Sequence, residues 1–439
     1  MFSITNFFTQ LVYKILTWFF TLEFGVFSLI SGFPSSLPET PEDFTPVLRF
    51  AVCSDIHLQG EENLHSQHYR QMFDELYEYA DAQDYSKLDA IITAGDMVNT
   101  GSDEEYEQFI GITSEGIREG TQFLCVLGNH EFIKYRDYDP KIGYEKYKKY
   151  VCEDVDRHLV INGFHFILTS YSDDARTFTS KKGWMKAELD KAVADRRDMP
   201  VFCIQHPQPF NTVYGSVNWG DFDIKTVYKN YPQVVDFSGH SHYSTTDPRS
   251  IWQGSFTSIG TGSTACLMSN LNLISGDEDV PGESATVWIV EADADGNVRL
   301  KLLDIPENRF FEKNEYYLTG LSKVTKRTHT WGVLKKQDTA PVFPEGSKVS
   351  TEKNEDGTVN LLFPDAECYW GAEDYKVTVS RGLKNIYEKT YFSNYVRTVK
   401  NGMSINIGSL EPGEYSVKIV PVSPYAKTGK ALTGTVEIV

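Results

Sequence analysis

The sequence predicts an α/β domain followed by a smaller all-β domain, and three observations support this prediction. Five apolar runs between residues 48 and 237 alternate with stretches of helical pattern, which is typical of parallel strands buried on both faces. Each run is followed by a short polar motif. From about residue 339 the pattern changes to short alternating strands at intervals near ten residues, which is typical of a β-sandwich.

The five polar motifs contain five of the ten histidines of the chain. The runs and their motifs are Leu48–Cys53 with Asp55-Ile56-His57, Ala90–Ala94 with Gly95-Asp96, Phe123–Leu127 with Gly128-Asn129-His130-Glu131, Val201–Ile204 with His206, and Val234–Phe237 with Gly239-His240-Ser241-His242. In open α/β sheets, ligands bind beyond the carboxyl ends of the strands, where several loops converge. We therefore expect these polar side chains to meet at one edge of a sheet.

The motifs offer a set of side chains that is typical of a site for two metal ions. The candidate ligands are Asp55, His57, Asp96, Asn129, His206, His240 and His242. Carboxylate, amide and imidazole groups in this number exceed the needs of one ion and suit two borderline divalent ions that share a bridging carboxylate. No cysteine lies in the motifs, which argues against a structural zinc site. One such motif alone would be a strand cap or a loop residue, but five in chain order favour a shared site.

The five motifs resemble those of the calcineurin-like metallophosphoesterases, whose pattern is D-x-H, G-D, G-N-H-[D/E], H and G-H-x-H. The resemblance covers about residues 48–304 and implies a four-layer α-β-β-α sandwich. It implies that Asp96 bridges two metal ions, and that His130 is the catalytic histidine. The remaining ligands would divide between the ions as Asp55, His57 and His242 for the first, and Asn129, His206 and His240 for the second.

The resemblance implies an enzyme, a hydrolase of phosphoester bonds that uses a metal-bridging hydroxide as nucleophile. The cofactors would be two divalent ions such as Mn, Fe or Zn, and His130 would assist departure of the leaving oxygen. This mechanism needs no nucleophilic serine or cysteine, and no G-x-S-x-G element is present. Two interpretations of Glu131 stay open: an orienting partner of the His130 ring, or a solvated carboxylate.

The residues after Asp96 bear on the subclass of the resemblance. Asn99 stands where purple acid phosphatases carry a tyrosine ligand, and Asn99-Thr100-Gly101 lacks the acid and the arginine of the protein Ser/Thr phosphatases. The remaining pattern is similar to phosphodiesterase-type members, which implies a cyclic nucleotide or another small phosphodiester as substrate. The alternatives are a phosphomonoesterase or nucleotidase of the same family, and a non-catalytic metal-binding surface protein.

Aromatic residues and further histidines lie outside the motifs. Between His206 and Gly239 a long polar and aromatic connection predicts a substrate wall, in which Trp219 either stacks on a base or lipid headgroup or packs the loop against the domain. The other histidines are predicted to lie on the surface: His65, His68, His158, His165 and His329.

The N-terminal residues 1–33 predict an apolar amphipathic helix or a signal-anchor. Residues 2–33 carry only two charges, Lys14 and Glu23, and a weakly polar stripe recurs at helical spacing. We expect a protein that is membrane-associated or at the cell surface, with a cytoplasmic location as the alternative. Residues 34–47, rich in Pro, Ser and Glu, are predicted to be a linker.

The rest of the chain divides into three parts. The phosphoesterase-like domain is predicted over residues 48–304, where Thr286–Glu291 and Val298–Ile305 form a hairpin that completes the second sheet. Residues 305–338 are predicted to link the domains while packing on the core. Residues 339–439 are similar to a fibronectin type III domain, and Tyr415 is the candidate for its tyrosine corner.

Composition limits the partners. The net charge of −19 argues against binding a nucleic-acid backbone, which needs basic patches, but permits a small phosphoester held by metal ions. A membrane contact through the N-terminal helix is the further partner expected, and no protein partner is indicated. Three cysteines, Cys53, Cys125 and Cys203, lie in apolar strands, which favours buried thiols over disulfides.

Overall fold

The computed structural model describes residues 37–135, 139, 141–172, 177–269, 278–279 and 283–438. The predicted N-terminal helix, residues 1–33, lies outside these ranges. Within them, no helix combines the length and the apolar character needed to cross a bilayer.

The N-terminal domain contains two six-stranded sheets and most of the helices. Its strands are β1 Pro46–Cys53, β2 Ala90–Thr93, β3 Gln122–Cys125, β4 Arg157–Ile161, β5 Phe164–Leu168, β6 Val201–Ile204, β7 Val234–Ser238, β8 Ile251–Gln253, β9 Thr257–Gly260, β10 Met268–Ser269, β11 Glu278–Asp279, β12 Thr286–Asp293, β13 Val298–Asp304 and β14 Arg309–Leu318. The helices are α1 Leu64–Asp81, α2 Asp103–Gly116, α3 Lys141–Tyr150, α4 Lys182–Asp195, α5 Ser216–Trp219, α6 Phe222–Tyr228 and α7 Trp331–Gln337.

The two sheets pack face to face with helices outside them. The strand orders are β14-β13-β12-β1-β2-β3 and β4-β5-β6-β7-β9-β8. Strand β1 illustrates this packing, because its side chains alternate between the core shared by the two sheets and the core beneath the helices. Phe50 points between the sheets, where its ring meets Phe166 and Phe202 edge-on at centroid distances of 5.1 and 4.8 Å. Ala51 and Cys53 point the other way, towards the apolar face of α1. This layering agrees with the predicted four-layer sandwich.

The C-terminal hairpin of the domain joins the first sheet and not the second, contrary to our expectation. Strand β12 pairs antiparallel with β1, with Val290 opposite Phe50, and β13 lies outside it. The reason is that Trp288 and Val290 of β12 fill the core between the sheets. Strand β14 then adds a sixth strand from the segment predicted to be a linker. Strand β14 carries the exposed charged residues typical of an edge strand, so its sequence does not show the apolar alternation that predicts a strand.

Three histidines predicted on the surface are buried. His68, His165 and His329 are 1%, 6% and 1% exposed. Two of them bond carboxylates, since His68 Nε2 lies 2.9 Å from Glu283 Oε1 and His165 Nε2 lies 3.0 Å from Asp195 Oδ2. Sequence pattern reports the average burial of a residue type and does not reveal such partners. The six cysteines are free thiols, and the predicted burial of those in β1, β3 and β6 is confirmed.

The C-terminal domain is a β-sandwich of seven strands. These are β15 Ser350–Lys353, β16 Val359–Phe363, β17 Asp374–Arg381, β18 Lys384–Phe392, β19 Met403–Asn406, β20 Gly413–Val422 and β21 Leu432–Ile438. They form antiparallel sheets of order β15-β16-β19 and β18-β17-β20-β21, with an apolar core between them. The predicted all-β sandwich is therefore present. The apolar alternation that predicts the sandwich does not extend to strands β15 and β18, because both are largely exposed edge strands with charged sequences.

The two domains share a packed boundary, which we call the seam. Trp370 of the sandwich is 5% exposed in the core of the N-terminal domain, and its Nε1 donates to Leu334 O at 3.1 Å. Thr398 N and Oγ1 both donate to Asp304 Oδ2 at 2.8 Å. The sandwich is thus fixed against the domain that carries the polar motifs.

Candidate metal centre

The polar motifs converge at the carboxyl edge of both sheets. The loops after β1, β2 and β3 meet those after β6 and β7, as the strand-end argument requires. Two groups of potential ligands result, and in each the ligand atoms lie within 4.8 Å of one another. The groups are Asp55, His57, Asp96 and His242, and Asp96, His206 and His240. Asp96 belongs to both groups, the position expected of a bridging carboxylate.

The first group brings nitrogen and oxygen atoms into close contact. His242 Nε2 lies 3.1 Å from Asp55 Oδ1 and 2.9 Å from His57 Nε2. His57 Nε2 also lies 4.0 Å from Asp96 Oδ2. Two imidazole nitrogens and two carboxylates therefore face one small volume.

The second group has its protonation pattern set by the backbone. His206 Nδ1 donates to Ala94 O at 2.8 Å, which leaves Nε2 as the ligand atom. Nε2 faces Asp96 Oδ2 at 3.1 Å and Asn129 Oδ1 at 3.0 Å. Three potential ligand atoms thus converge, and either a proton on Nε2 or a metal ion must lie among them. The residues present therefore fit a divalent metal ion of borderline character.

The electrostatics of the buried histidines follow from the same contacts. Burial lowers the pKa of His206, but Asp96 more than offsets this and raises it to about 9. Burial would raise the pKa of Asp96, yet His206 holds it well below its usual value. A metal ion at Nε2 would take the place of the proton that this pair shares. Burial and the neighbouring His242 lower the pKa of His57 to about 3, so its ring is neutral and free to act as a ligand.

The backbone of this edge is strained. Nine non-glycine residues in the described ranges have a left-handed φ, and five of them are predicted ligands. The angles are 52° at Asp55, 50° at His57, 52° at Asp96, 74° at His240 and 55° at His242. Such a conformation costs about 1–3 kcal/mol per residue and is retained mainly at functional sites. The strain is independent of the motif pattern and marks the same edge.

Two motif glycines let the loops approach one another. A Cβ atom on Gly128 would collide with the carboxylate and backbone of Asp96. A Cβ atom on Gly239 would collide with the carboxylate of Asp55 and with Ser54. These glycines are therefore needed for close approach between ligand loops of different strands.

His130 stands beside the ligands. Its backbone N donates to Asp96 Oδ1 at 2.8 Å, and its ring Nδ1 donates to Asn99 O at 2.8 Å. The second ring nitrogen, Nε2, lies 4.0 Å from Asp96 Oδ2, and the side chain is 27% exposed. The backbone carbonyl of Asn99 therefore orients the ring and directs Nε2 to the site.

Glu131 fits neither interpretation that the sequence left open. It is fully buried and accepts hydrogen bonds from backbone N–H groups of the Asp96 loop, from Met97 N at 2.7 Å and Val98 N at 3.3 Å. It also accepts from Gly128 N at 2.6 Å. Glu131 thus ties two ligand loops together, whereas Asn99 O holds His130. Sequence motifs missed both roles, because each partner is a backbone atom.

The connection after His206 forms an aromatic wall, which we define as Phe210, Trp219 and Phe222. The Trp219 ring meets the His240 ring edge-on at a centroid distance of 5.3 Å. Trp219 is 39% exposed and Phe222 is 58% exposed. The ring centroids of Phe210 and Phe222 are 6.2 Å apart. Trp219 therefore both packs against the site and presents aromatic surface beside it.

Comparison with known families agrees with this geometry. Residues 48–244 match the sequence model of the family described as calcineurin-like phosphoesterase. These residues form a calcineurin-like phosphoesterase domain. The predicted enzyme class, a metallophosphoesterase, is confirmed at the level of the family. The predicted pair of divalent ions is the cofactor of this family, and the two ligand groups that share Asp96 fit it. The assignment of each residue to one ion stays a prediction.

Two solved structures show distant likeness to this chain. A purple acid phosphatase from yellow lupin (Lupinus luteus) seeds is 12% identical with a TM-score of 0.46, covering 68% of this chain and 56% of that one. The sulfate thiohydrolase SoxB of Thermus thermophilus is 12% identical with a TM-score of 0.38, covering 72% and 64%. This chain thus spans less than two thirds of either protein, and likeness at this level says nothing about substrate. A comparison with curated protein sequences found no significant match.

Proposed function

We propose that this protein hydrolyses phosphoester bonds at a two-metal centre on the carboxyl edge of its sheets. The ligands would be Asp55, His57, Asp96, Asn129, His206, His240 and His242. The observation that carries the proposal is the convergence of buried electron-pair donors around Asp96, with His206 Nε2 facing two oxygens at 3.0 and 3.1 Å. Two bound divalent ions would supply an activated water and a positive field for the phosphoryl oxygens.

His130 would serve the leaving group. Its Nδ1–H is held by Asn99 O, so Nε2 is the atom that can give or share a proton with the departing oxygen. Nε2 also lies 4.0 Å from Asp96 Oδ2, which places it at the edge of both ligand groups. Glu131 would keep the Asp96 and Gly128 loops in register while the substrate binds.

We infer that the substrate is a small phosphodiester, such as a cyclic nucleotide. Asn99 replaces the residues that mark the purple acid phosphatase and Ser/Thr phosphatase subclasses, which supports this choice. Trp219 and Phe222 offer exposed aromatic surface beside His240, and a base or another planar group can stack there. A nucleoside monophosphate could use the same surface, so the monoester is the alternative for the test.

The test is an activity panel on protein whose metal content has been measured. It compares bis-p-nitrophenyl phosphate, cyclic nucleotides, p-nitrophenyl phosphate and nucleoside monophosphates. We expect turnover of diesters to exceed that of monoesters by about tenfold or more, one 1.4 kcal/mol step in the barrier. Faster monoester turnover would make the protein a phosphomonoesterase or nucleotidase. Metal-replete protein without turnover on any member would contradict the enzymatic proposal.

We propose further that the C-terminal sandwich is of the fibronectin type III kind and carries no chemistry. Its division into sheets of three and four strands supports this. So does Tyr415, whose hydroxyl donates to Glu411 O at 2.6 Å, the backward bond of a tyrosine corner.

We also propose that residues 1–33 attach the protein to a membrane, as their low charge suggests. Leu37 packs against the core and Thr40 Oγ1 bonds Glu315, so a shortened chain should begin at Leu37. In liposome flotation the full chain should rise with the vesicles, and the shortened chain should stay in solution with equal activity on soluble substrates. Flotation of neither chain would contradict this proposal.

A further inference from the structure

The loop that carries the aromatic wall is braced at Tyr214. The backbone N of Tyr214 donates to Arg249 O at 2.9 Å. Its ring lies 4.5 Å from the ring of Tyr243, which directly follows the predicted ligand His242. Tyr214 directly precedes Gly215, whose O accepts from Trp219 N at 3.0 Å, so the tyrosine connects the backbone of Trp219 with the loop of a predicted ligand.

Arg249 connects this tyrosine to the other domain. Its guanidinium lies 4.0 Å from the centre of the Tyr214 ring, a cation–π contact. The same group donates from Nε to Asp247 Oδ1 at 2.8 Å, and from Nη2 to Glu373 Oε1 at 2.6 Å. Glu373 is 7% exposed and directly precedes β17 of the sandwich. The sandwich therefore reaches Tyr214 through this buried ion pair and through a direct hydrogen bond, which Tyr214 Oη donates to Glu373 Oε1 at 3.5 Å.

A second contact between the sandwich and the site lies nearby. Leu267 packs with Phe392, Tyr395 and Val396 of the sandwich. The next residue of the chain, Met268, donates from its backbone N to His242 O at 2.8 Å. The loop of this predicted ligand is therefore backed by the sandwich as well.

We propose that the C-terminal sandwich is part of the substrate site, and that Glu373 acts through Arg249 and Tyr214 as a positioning residue for Trp219. This rests on the proposed function, because it concerns the wall of the same site. The link is specific in its chemistry, since one guanidinium satisfies carboxylates of both domains and covers an aromatic ring.

Removal of Glu373 should break the link without unfolding the protein. Arg249 would keep its two-pronged bond to Asp247, so no buried charge would be left unpaired. Thr398 would still bond Asp304, and Trp370 would still fill its place in the core. A defect in the variant would then report on the Tyr214 loop and not on the seam as a whole.

The experiment compares Glu373→Ala with a matched seam variant, Thr398→Val, in the full chain. Glu373→Ala should raise KM for an aromatic diester by about 3- to 30-fold with kcat and metal content nearly unchanged. It should also speed amide hydrogen exchange in residues 209–219. Thr398→Val loses a hydroxyl bond across the same seam but has no link to Tyr214, so it should change neither. Glu373→Gln keeps an acceptor for Arg249 and should restore most of both readouts.

A second route tests the same link from the side of the N-terminal domain. Tyr214→Leu should speed exchange in the loop, and adding Glu373→Ala should give little further change, because both act through one contact. Additive effects would overturn the proposal. So would equal effects of Glu373→Ala and Thr398→Val, or unchanged exchange in Glu373→Ala. If the wild type hydrolyses no phosphoester but its loop exchange responds as expected, the proposed function fails and the brace stands.

Discussion

The metal centre and the cluster around Arg249 are both buried groups of carboxylates, but they differ in the cation that balances them. At the metal centre, Asp55 and Asp96 face imidazole rings whose electron pairs point into the same space. At the seam, Asp247 and Glu373 face the guanidinium of Arg249, which keeps its charge at any physiological pH. The first group needs a cation from outside, whereas the second supplies its own.

This difference in the balancing cation distinguishes a metal-binding site from a structural cluster that joins the two domains. Imidazole and carboxylate ligands can exchange a proton for a metal ion, so the metal centre is open to chemistry. The fork of Arg249 has fixed geometry and holds two domains and a tyrosine in one arrangement. The seam still has an excess of acid, because Asp374 lies beside the cluster with its Oδ1 lacking a hydrogen-bond partner among the described residues.

The largest effect on the metal centre is expected from a substitution of Asp96, the carboxylate common to both ligand groups. Asp96→Ala should lose both metal ions and at least about 10⁴-fold in activity, since no other source of activated water remains. Metal analysis and initial rates on the same sample measure this. The matched control is Asp81→Ala, an exposed carboxylate of α1 that pairs with Arg118 at 2.7 Å and should keep metal and activity. A metal-replete, active Asp96→Ala protein would exclude the two-metal site.

His130 sharpens the distinction between metal binding and proton transfer. His130→Ala should keep both metal ions and lose about 10²–10⁴-fold in rate, the usual worth of acid–base assistance. The loss should be smaller for a nitrophenyl diester than for an alkyl diester, because nitrophenolate needs no proton to depart. Rates on both substrates, with metal content, test this. Equal losses on the two would show that His130 does not serve the leaving group.

Trp219 tests whether the braced wall contacts substrate. Trp219→Ala should raise KM for a diester with an aromatic group by about 5- to 100-fold, the worth of one stacking contact, and leave kcat nearly unchanged. A diester without an aromatic group should show no such rise. Trp331→Ala removes a tryptophan that is 50% exposed on α7, and serves as the control. An equal rise in KM for both substrates would argue against stacking.

The smallest effect is expected from the titration of Asp374 at the seam, which should change the stability of the protein with pH. Burial raises the pKa of Asp374 to about 7, although Arg249 opposes the rise. A raised pKa in the folded state means that the contribution of Asp374 to stability is greatest at acid pH and falls as the pH rises from about 4 to about 7, by at most about 1.4 kcal/mol per pH unit. Asp374→Asn should make the slope of stability against pH shallower, because Asp236, whose pKa burial also raises to about 7, still contributes; the variant should be more stable than the wild type at about pH 8.

Urea unfolding at several pH values measures that slope. Glu352→Gln, which changes an exposed carboxylate of β15, should leave the wild-type slope in place. Parallel pH profiles for Asp374→Asn and the wild type would show that this carboxyl does not titrate differently in the folded protein.

The candidate ligands could be predicted from the sequence because each follows a buried strand. Parallel strands bring their carboxyl ends to one edge whatever their order, so motif position alone implied that Asp55, Asp96, His206 and His240 converge. Burial on both faces also makes such strands visible as apolar runs. The alternating strands of the sandwich were visible for the same reason. Edge strands β14 and β18 carry charges on an exposed face and were invisible to that pattern.

Only the tertiary structure revealed how the site is supported. Glu131 bonds backbone N–H groups, and His130 is oriented by a backbone carbonyl, so neither partner has a side-chain pattern to recognise. Arg249 and Glu373 are 124 residues apart and meet only because the sandwich packs on the first domain. Local sequence reports which residues are buried and where strands end. Which buried charge meets which depends on how distant segments pack, and that information is not local.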